Sequence, residues 1–60
     1  MSAEILIIDD NSDIRLILNE LILEAGYKTR LAANYNQALI EIDKKIPDVA
    51  IIDVKLDKGD

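Results

Sequence analysis

The chain has 60 residues, no Cys and no His. That excludes disulfides, thiol redox chemistry, zinc fingers, Ser-His-Asp triads and an imidazole general base, and leaves carboxylates as the available metal ligands. Twelve Asp+Glu against seven Lys+Arg give a net charge of −5, which argues against a surface that neutralises nucleic-acid phosphates.

Half the residues are hydrophobic, with 11 Ile and 8 Leu, so the composition is that of a folding chain rather than a disordered one. There is room for one small domain. A lone core of this size supplies about 3–5 kcal/mol, so a partner chain or a bound ion would matter to its stability. The longest uncharged apolar stretch, Ile5 to Ile8, falls far short of a membrane span, and no basic segment followed by an apolar run opens the chain. A cytoplasmic location without membrane contact is the default expectation.

Residues 4–8, Glu-Ile-Leu-Ile-Ile, form a β-branched and aliphatic run, the pattern of a strand buried on both faces of a parallel sheet. It ends on Asp9-Asp10. Asn11-Ser12-Asp13 then offers short polar side chains that cap helices, with Ser12 as the expected N-cap and Asp13 favourable to the helix dipole. A helix is expected from there to Ala25, its apolar face made of Ile14, Ile17, Leu18, Leu21, Ile22 and Ala25, with Gly26 placed for a left-handed termination. Leu16 and Leu23 lie roughly opposite that face, either as scattered exposed residues or as a contact stripe.

Tyr27 to Ala32 alternates Tyr27, Thr29 and Leu31 against Lys28 and Arg30, the pattern of a strand near a sheet edge with one wetter face. Asn34 can cap a second helix, in which Tyr35, Ala38, Leu39, Ile42 and Ile46 recur at helical spacing until Pro47 forbids continuation. Val49-Ala50-Ile51-Ile52 is a second continuous apolar run, and it too ends on an acid, Asp53. The tail Asp57-Lys58-Gly59-Asp60 has loop composition.

The order β-α-β-α-β favours a parallel α/β sheet. Three strands are few for such a plan, so the sequence reads as an interrupted domain. Strand C-termini then share one rim, where ligands bind if the strand order is 2-1-3, the flavodoxin-like arrangement. Asp9, Asp10 and Asp53 would meet there. A single acid in such a place is ordinarily a cap or a solvated loop residue. A doubled Asp after one apolar strand and a third after another is a rarer combination, and it points to a site. Close carboxylates repel one another, and a hard divalent ion such as Mg²⁺ relieves that repulsion while keeping positions open for phosphoryl oxygens.

The run Ile5-Leu6-Ile7-Ile8-Asp9-Asp10-Asn11-Ser12-Asp13-Ile14-Arg15 resembles the opening of two-component response regulator receiver domains (CheY-like), with their acidic pair and an Arg five positions later. Pro47-Asp48-Val49-Ala50-Ile51-Ile52-Asp53-Val54-Lys55-Leu56 is similar to their third strand and phosphoacceptor segment, and Ala25-Gly26-Tyr27 and Gln37-Ala38-Leu39 fall in register between the two. The segments around Asp13-Ile14-Arg15 and Tyr27 to Ala32 resemble the nitrogen-regulation subgroup (NtrC/NtrX type). The resemblance implies that residues 1–60 are the N-terminal portion of a single receiver domain, truncated before strands four and five. It implies Asp53 as the acceptor of a phosphoryl group from a sensor histidine kinase. The implied Mg²⁺ ligands are Asp10 directly, Asp9 through water, Asp53, and Lys55 through its backbone carbonyl.

Asn11 and Ser12 are expected to cap the helix rather than touch phosphate, and Arg15 to be a surface or ion-pair residue. The sequence departs from the family where Asp57 replaces the usual Pro. The family's fourth-strand Ser or Thr and fifth-strand Lys fall outside these 60 residues, so the segment as written is expected not to switch. The expected function is that of a signalling module rather than an enzyme. The adjacent acids also lack the Asp-x-Asp spacing of metal-dependent phosphatases. The alternative is an interaction or dimerisation remnant without phosphotransfer, in which the apolar outer edge of the third strand recruits a second copy.

Overall fold

The structure, a computed structural model, describes residues 2–53. The expectations for Lys55, Leu56 and Asp57 therefore lie outside the described residues. Five elements follow in the expected order: β1 (Glu4–Ile8), α1 (Ser12–Glu24), β2 (Lys28–Ala32), α2 (Tyr35–Lys44) and β3 (Val49–Ile52). The strands form one parallel sheet in the order β2-β1-β3, that of the first three strands of a flavodoxin-like sheet.

The central strand carries the core. Ile5, Leu6, Ile7 and Ile8 are all buried, and Leu6 and Ile7 are wholly inaccessible. Each such side chain contributes about 1.5–3 kcal/mol of transfer free energy, an upper bound because unfolded chains already hide part of it. Side chains of a strand alternate between faces. Leu6 and Ile8 pack with Ala32, Ala38 and Ile42 under α2. On the other face Thr29, paired with Ile5, hydrogen-bonds Asn19 of α1. The two helices thus lie on opposite faces of the sheet.

Local polar groups set the helix ends. Asn11, with extended backbone, is the N-cap of α1, its Oδ1 accepting from the Ile14 N–H at 3.0 Å. The expectation of Ser12 is corrected by one residue. The Asn11 N–H is itself tied to the Asp9 carboxylate at 2.9 Å, which holds Asn11 outside the helix and makes Ser12 its first residue. At the other end Gly26 has φ +98°. Its N–H donates to Leu23 O and that of Tyr27 to Ile22 O, a left-handed termination that glycine adopts without a Cβ clash. Asn34 caps α2 by accepting from Gln37 N–H, and the Gln37 side chain reaches back to Ala33 N–H, both at 2.8 Å, a close variant of the capping box.

Three other expectations are corrected. Helix α2 stops at Lys44, with Lys45 already extended, and Ile46 is 78% exposed, because a residue before Pro is pushed out of the helical region. The expected apolar face of α1 is not buried as a unit. Leu18 and Ile22 are half-buried while Ile14, Ile17 and Leu21 are exposed, since among the described elements α1 packs on β2 and β1 alone. Strand β3 is largely exposed apart from Ile51, as expected of a strand with an apolar outer edge, because among the described residues it is flanked by β1 alone. Arg30, read as part of a wetter face, is instead a structural clamp.

Arg30 shares the α2 face with its partner Leu6. Its guanidinium donates to the main-chain oxygens of Glu41 and Lys45, both at 2.6 Å, and to the carboxylates of Glu41 and Glu4, both at 3.2 Å. Its side chain is 17% exposed. It thereby satisfies carbonyls at the C-terminal end of α2, where a cation also suits the helix dipole. No described helix is long and apolar enough to cross a membrane.

The Arg30 hydrogen bond holds the Glu41 carboxyl below the usual carboxylate range, opposed by partial burial and helped by Lys44. The folded form therefore binds that proton less readily than the unfolded one. The resulting stability is complete above the ordinary Glu value near ~4.3 and is lost as pH falls through the lower folded value. Replacing Arg30 with Met should lower the unfolding free energy of the chain by about 2 kcal/mol, because charge-assisted bonds to several acceptors go at once. It should also reduce the part of the acid sensitivity that Glu41 contributes, Lys44 keeping the remainder. Urea titrations at neutral pH and at pH ~3 measure both, and a change at neutral pH of less than about 0.5 kcal/mol, the scale of ordinary surface substitutions, would contradict the clamp.

Candidate metal centre

Two ladder bonds continue past the strand ends and place the acids. The Asp9 N–H donates to Ala32 O and the Asp53 N–H to Ile8 O, each at 3.1 Å. Ile8 pairs with Ile52, so Asp9 and Asp53, each one residue further on, stand side by side at the C-terminal rim. Asp10 follows directly. One carboxylate oxygen from each of Asp9, Asp10 and Asp53 lies within 4.8 Å of the others. Asp9 is buried, Asp53 half-buried and Asp10 exposed, so the cluster opens toward solvent on the Asp10 side.

The first turn of α1 fixes Asp9. Its Oδ1 accepts from the Asn11 N–H, and its main-chain oxygen accepts from Arg15 Nη1 at 2.7 Å. Together with the bond to Ala32, donor, acceptor and side chain of Asp9 are all held. The Arg15 contact is the feature that sequence reasoning missed, having read the residue as a surface or ion-pair group. Its spacing from the acidic pair was visible, but a side chain folding back onto a main-chain carbonyl leaves no mark in a hydropathy pattern. Ser12 is exposed and stands in the first turn of the helix.

The acids line a cleft of about 500 Å³ whose walls include Ile14 and Leu18 of α1 and Ile51 of β3, a volume within the range of small-ligand sites. At 4.8 Å, the widest spacing in the cluster, two full charges repel by roughly 3 kcal/mol at an effective dielectric of 20. The donor set fits a hard divalent cation. An octahedron with metal–oxygen bonds of ~2.1 Å spaces its oxygens about 3–4.2 Å apart, so carboxylates within 4.8 Å of one another can share one Mg²⁺, directly or through its waters. All donors are oxygen, which suits Mg²⁺ over the softer transition metals.

Comparison with known proteins places the chain in a family. The family described as response regulator receiver domain matches residues 5–60. The chain is 45% identical over 56 residues to sporulation initiation phosphotransferase F of Bacillus subtilis, covering 93% of this chain and 45% of that protein. It is 37% identical over 57 residues to the probable transcriptional regulator ycf27 of Porphyra purpurea, covering 95% of this chain and 24% of the other. A putative NtrX-like response regulator of Rickettsia bellii is 36% identical over 53 residues, 88% of this chain and 11% of its own. The nitrogen-regulation likeness thus has a counterpart, at lower identity than the sporulation protein. No solved structure is a significant match. The chain spans less than half the length of these relatives. On the family match across residues 5–60 and the β2-β1-β3 sheet with its acidic rim, the chain belongs to the response regulator receiver domain family of two-component signalling.

Proposed function

We propose that this chain is a phosphoacceptor module in which Asp53 takes a phosphoryl group from a sensor histidine kinase, with Mg²⁺ held by Asp9, Asp10 and Asp53. The observation that carries the reading is the convergence of three carboxylates from two neighbouring strand ends at the mouth of one cleft. Asp53 is the acceptor because it is half-buried at the end of β3 with its main chain pinned to Ile8. An in-line attack needs such a fixed carboxylate more than it needs a strong base. In the transfer, the P–N bond to the donor histidine breaks as a P–O bond to an Asp53 carboxylate oxygen forms. Mg²⁺, when bound, offsets the negative charge that nucleophile and phosphoryl group bring together.

Asp10, exposed beside Asp53, is the direct ligand. Asp9, with one oxygen already engaged by Asn11, contributes the other oxygen through water. Lys55, outside the described residues, enters by resemblance alone as a main-chain carbonyl ligand. The module is regulatory rather than an enzyme, and its setting is cytoplasmic, where histidine kinases present their phosphohistidine. We further propose that residues 1–60 form the N-terminal portion of a single receiver domain. The net charge of −5 supports a module that does not itself bind nucleic acid.

Acetyl phosphate with Mg²⁺ should add one phosphoryl group to the chain, labile to hydroxylamine as an acyl phosphate is. Replacement of Asp53 by Asn, or omission of Mg²⁺, should abolish the adduct in intact-mass spectra. A folded wild-type chain that gains no mass would reject the reading and leave the alternative of an interaction remnant.

The observation that favours a role in association is the outer edge of β3, which has no partner strand among the described residues and presents exposed Val49 and Ile52. Such an edge recruits another strand, here from a second copy. Because the Asp53 N–H points to β1, strand alternation points that of Ala50 outward. Ala50→Pro should therefore block edge pairing without removing a β1 bond. Sedimentation should show the wild type self-associating and the variant monomeric, while a wild type that stays monomeric at high concentration excludes the association.

A further inference from the structure

We infer that Arg15 is a positioning residue for the acidic centre, acting through the Asp9–Asp10 peptide to hold Asp10 where a cation can bind it. The inference rests on the reading of Asp9, Asp10 and Asp53 as an Mg²⁺ site.

Arg15 stands in the first turn of α1, four residues after the N-cap Asn11. That end of a helix carries partial positive charge, so a cation there is electrostatically unfavourable, and Arg is at home in the last turn instead. The local cost calls for a compensating contact, and the structure shows one. The side chain is half-buried and folds back six residues, Nη1 donating to the Asp9 main-chain oxygen at 2.7 Å. This length is typical of a charge-assisted bond.

The carbonyl it grips belongs to the peptide that joins Asp9 to Asp10. On the other side of Asp9, the N–H is fixed to Ala32 O by the sheet, and the carboxylate is fixed to Asn11 N–H. With the oxygen also held, the plane of the Asp9–Asp10 peptide has no remaining freedom. The direction in which the Cα and carboxylate of Asp10 leave the rim is then set. Asp10 is exposed, so its orientation depends on its main chain rather than on packing around its side chain. Arg15 thus takes the place in this centre that outer-shell partners take around other metal ligands, where their loss typically reduces metal affinity by 10–100-fold.

Positioning and charge predict opposite signs. A cationic side chain near three acids repels a second cation, so if Arg15 acted only through its field, removing it would tighten Mg²⁺ binding. If it acts by fixing the Asp9–Asp10 peptide, removing it weakens binding despite the relief of repulsion. A merely structural role would lower stability and leave the affinity of the folded form unchanged.

The test is an Mg²⁺ titration of the full chain, wild type, Arg15→Met and Arg15→Lys, followed by amide NMR of the folded protein. Arg15→Met should weaken Mg²⁺ binding about tenfold, and Arg15→Lys, which keeps the charge and a donor, should recover part of the loss. Without metal, the amide nitrogen of Asp10, which belongs to the gripped peptide, should shift in Arg15→Met and shift less in Arg15→Lys. Unchanged or tighter Mg²⁺ binding by folded Arg15→Met overturns the inference and leaves the metal site standing. Failure of the wild type to bind Mg²⁺ overturns the metal reading itself, and the inference with it.

Discussion

The register between β1 and β3 is the constraint on which the rest depends. Side chains of a strand alternate between faces, so a slip of one residue would turn Asp53 away from Asp9 and dissolve the acidic centre. The register is locked at both ends of β3. At the entry, the Asp48 carboxylate accepts from the Glu4 N–H at 2.7 Å and the Asp48 N–H donates to Glu4 O at 2.9 Å. At the exit, the Asp53 N–H reaches Ile8 O. Between them the aliphatic run of β1 pairs with β3 residue by residue. An apolar strand that owes its burial to packing thus carries, at its end, the polar group that owes its position to hydrogen bonding.

Stability and function sit in different places. The apolar core lies in β1 and beneath α2, and the Arg30 clamp closes the lower end of that layer against Glu4, Glu41 and Lys45. The other face is only partly covered. Helix α1 has no fully buried residue, Ile14, Ile17 and Leu21 remain exposed, and Ile14 lines the cleft that reaches the acids. What α1 does supply is its first turn, where Asn11 and Arg15 hold Asp9 from two directions. The helix serves the centre through its polar beginning more than through its apolar flank.

Much of this was legible in the residues. The two apolar runs closing on Asp9-Asp10 and Asp53 announced a parallel sheet with a shared acidic rim, because strands buried on both faces lack alternation and strand ends in such sheets converge. Gly26 and Asn34 announced helix ends through the backbone geometry each favours. The N-cap was read one residue late because Asn11, Ser12 and Asp13 all suit the position, and the choice is made by a local contact, the Asp9 carboxylate on the Asn11 N–H two residues on. The burial of Arg30 was invisible for a different reason. Alternation marks a polar residue as outward, whereas the carbonyls of α2 and the carboxylates of Glu4 and Glu41, distant in sequence, make an inward guanidinium favourable. Exposure along α1 was misjudged because apolar periodicity reports which face can be buried and is silent on what covers it.

Acids from two separate strands that share one cation must be energetically coupled. A double-mutant cycle with Asp10→Asn, Asp53→Asn and the combined variant, read as Mg²⁺ affinity in the full chain, tests it most directly. The account predicts that each single change weakens binding strongly and that the double change costs much less than their sum, with a coupling of about 1 kcal/mol or more. Strictly additive losses, or amide shifts on Mg²⁺ addition confined to the end of one strand, would contradict it.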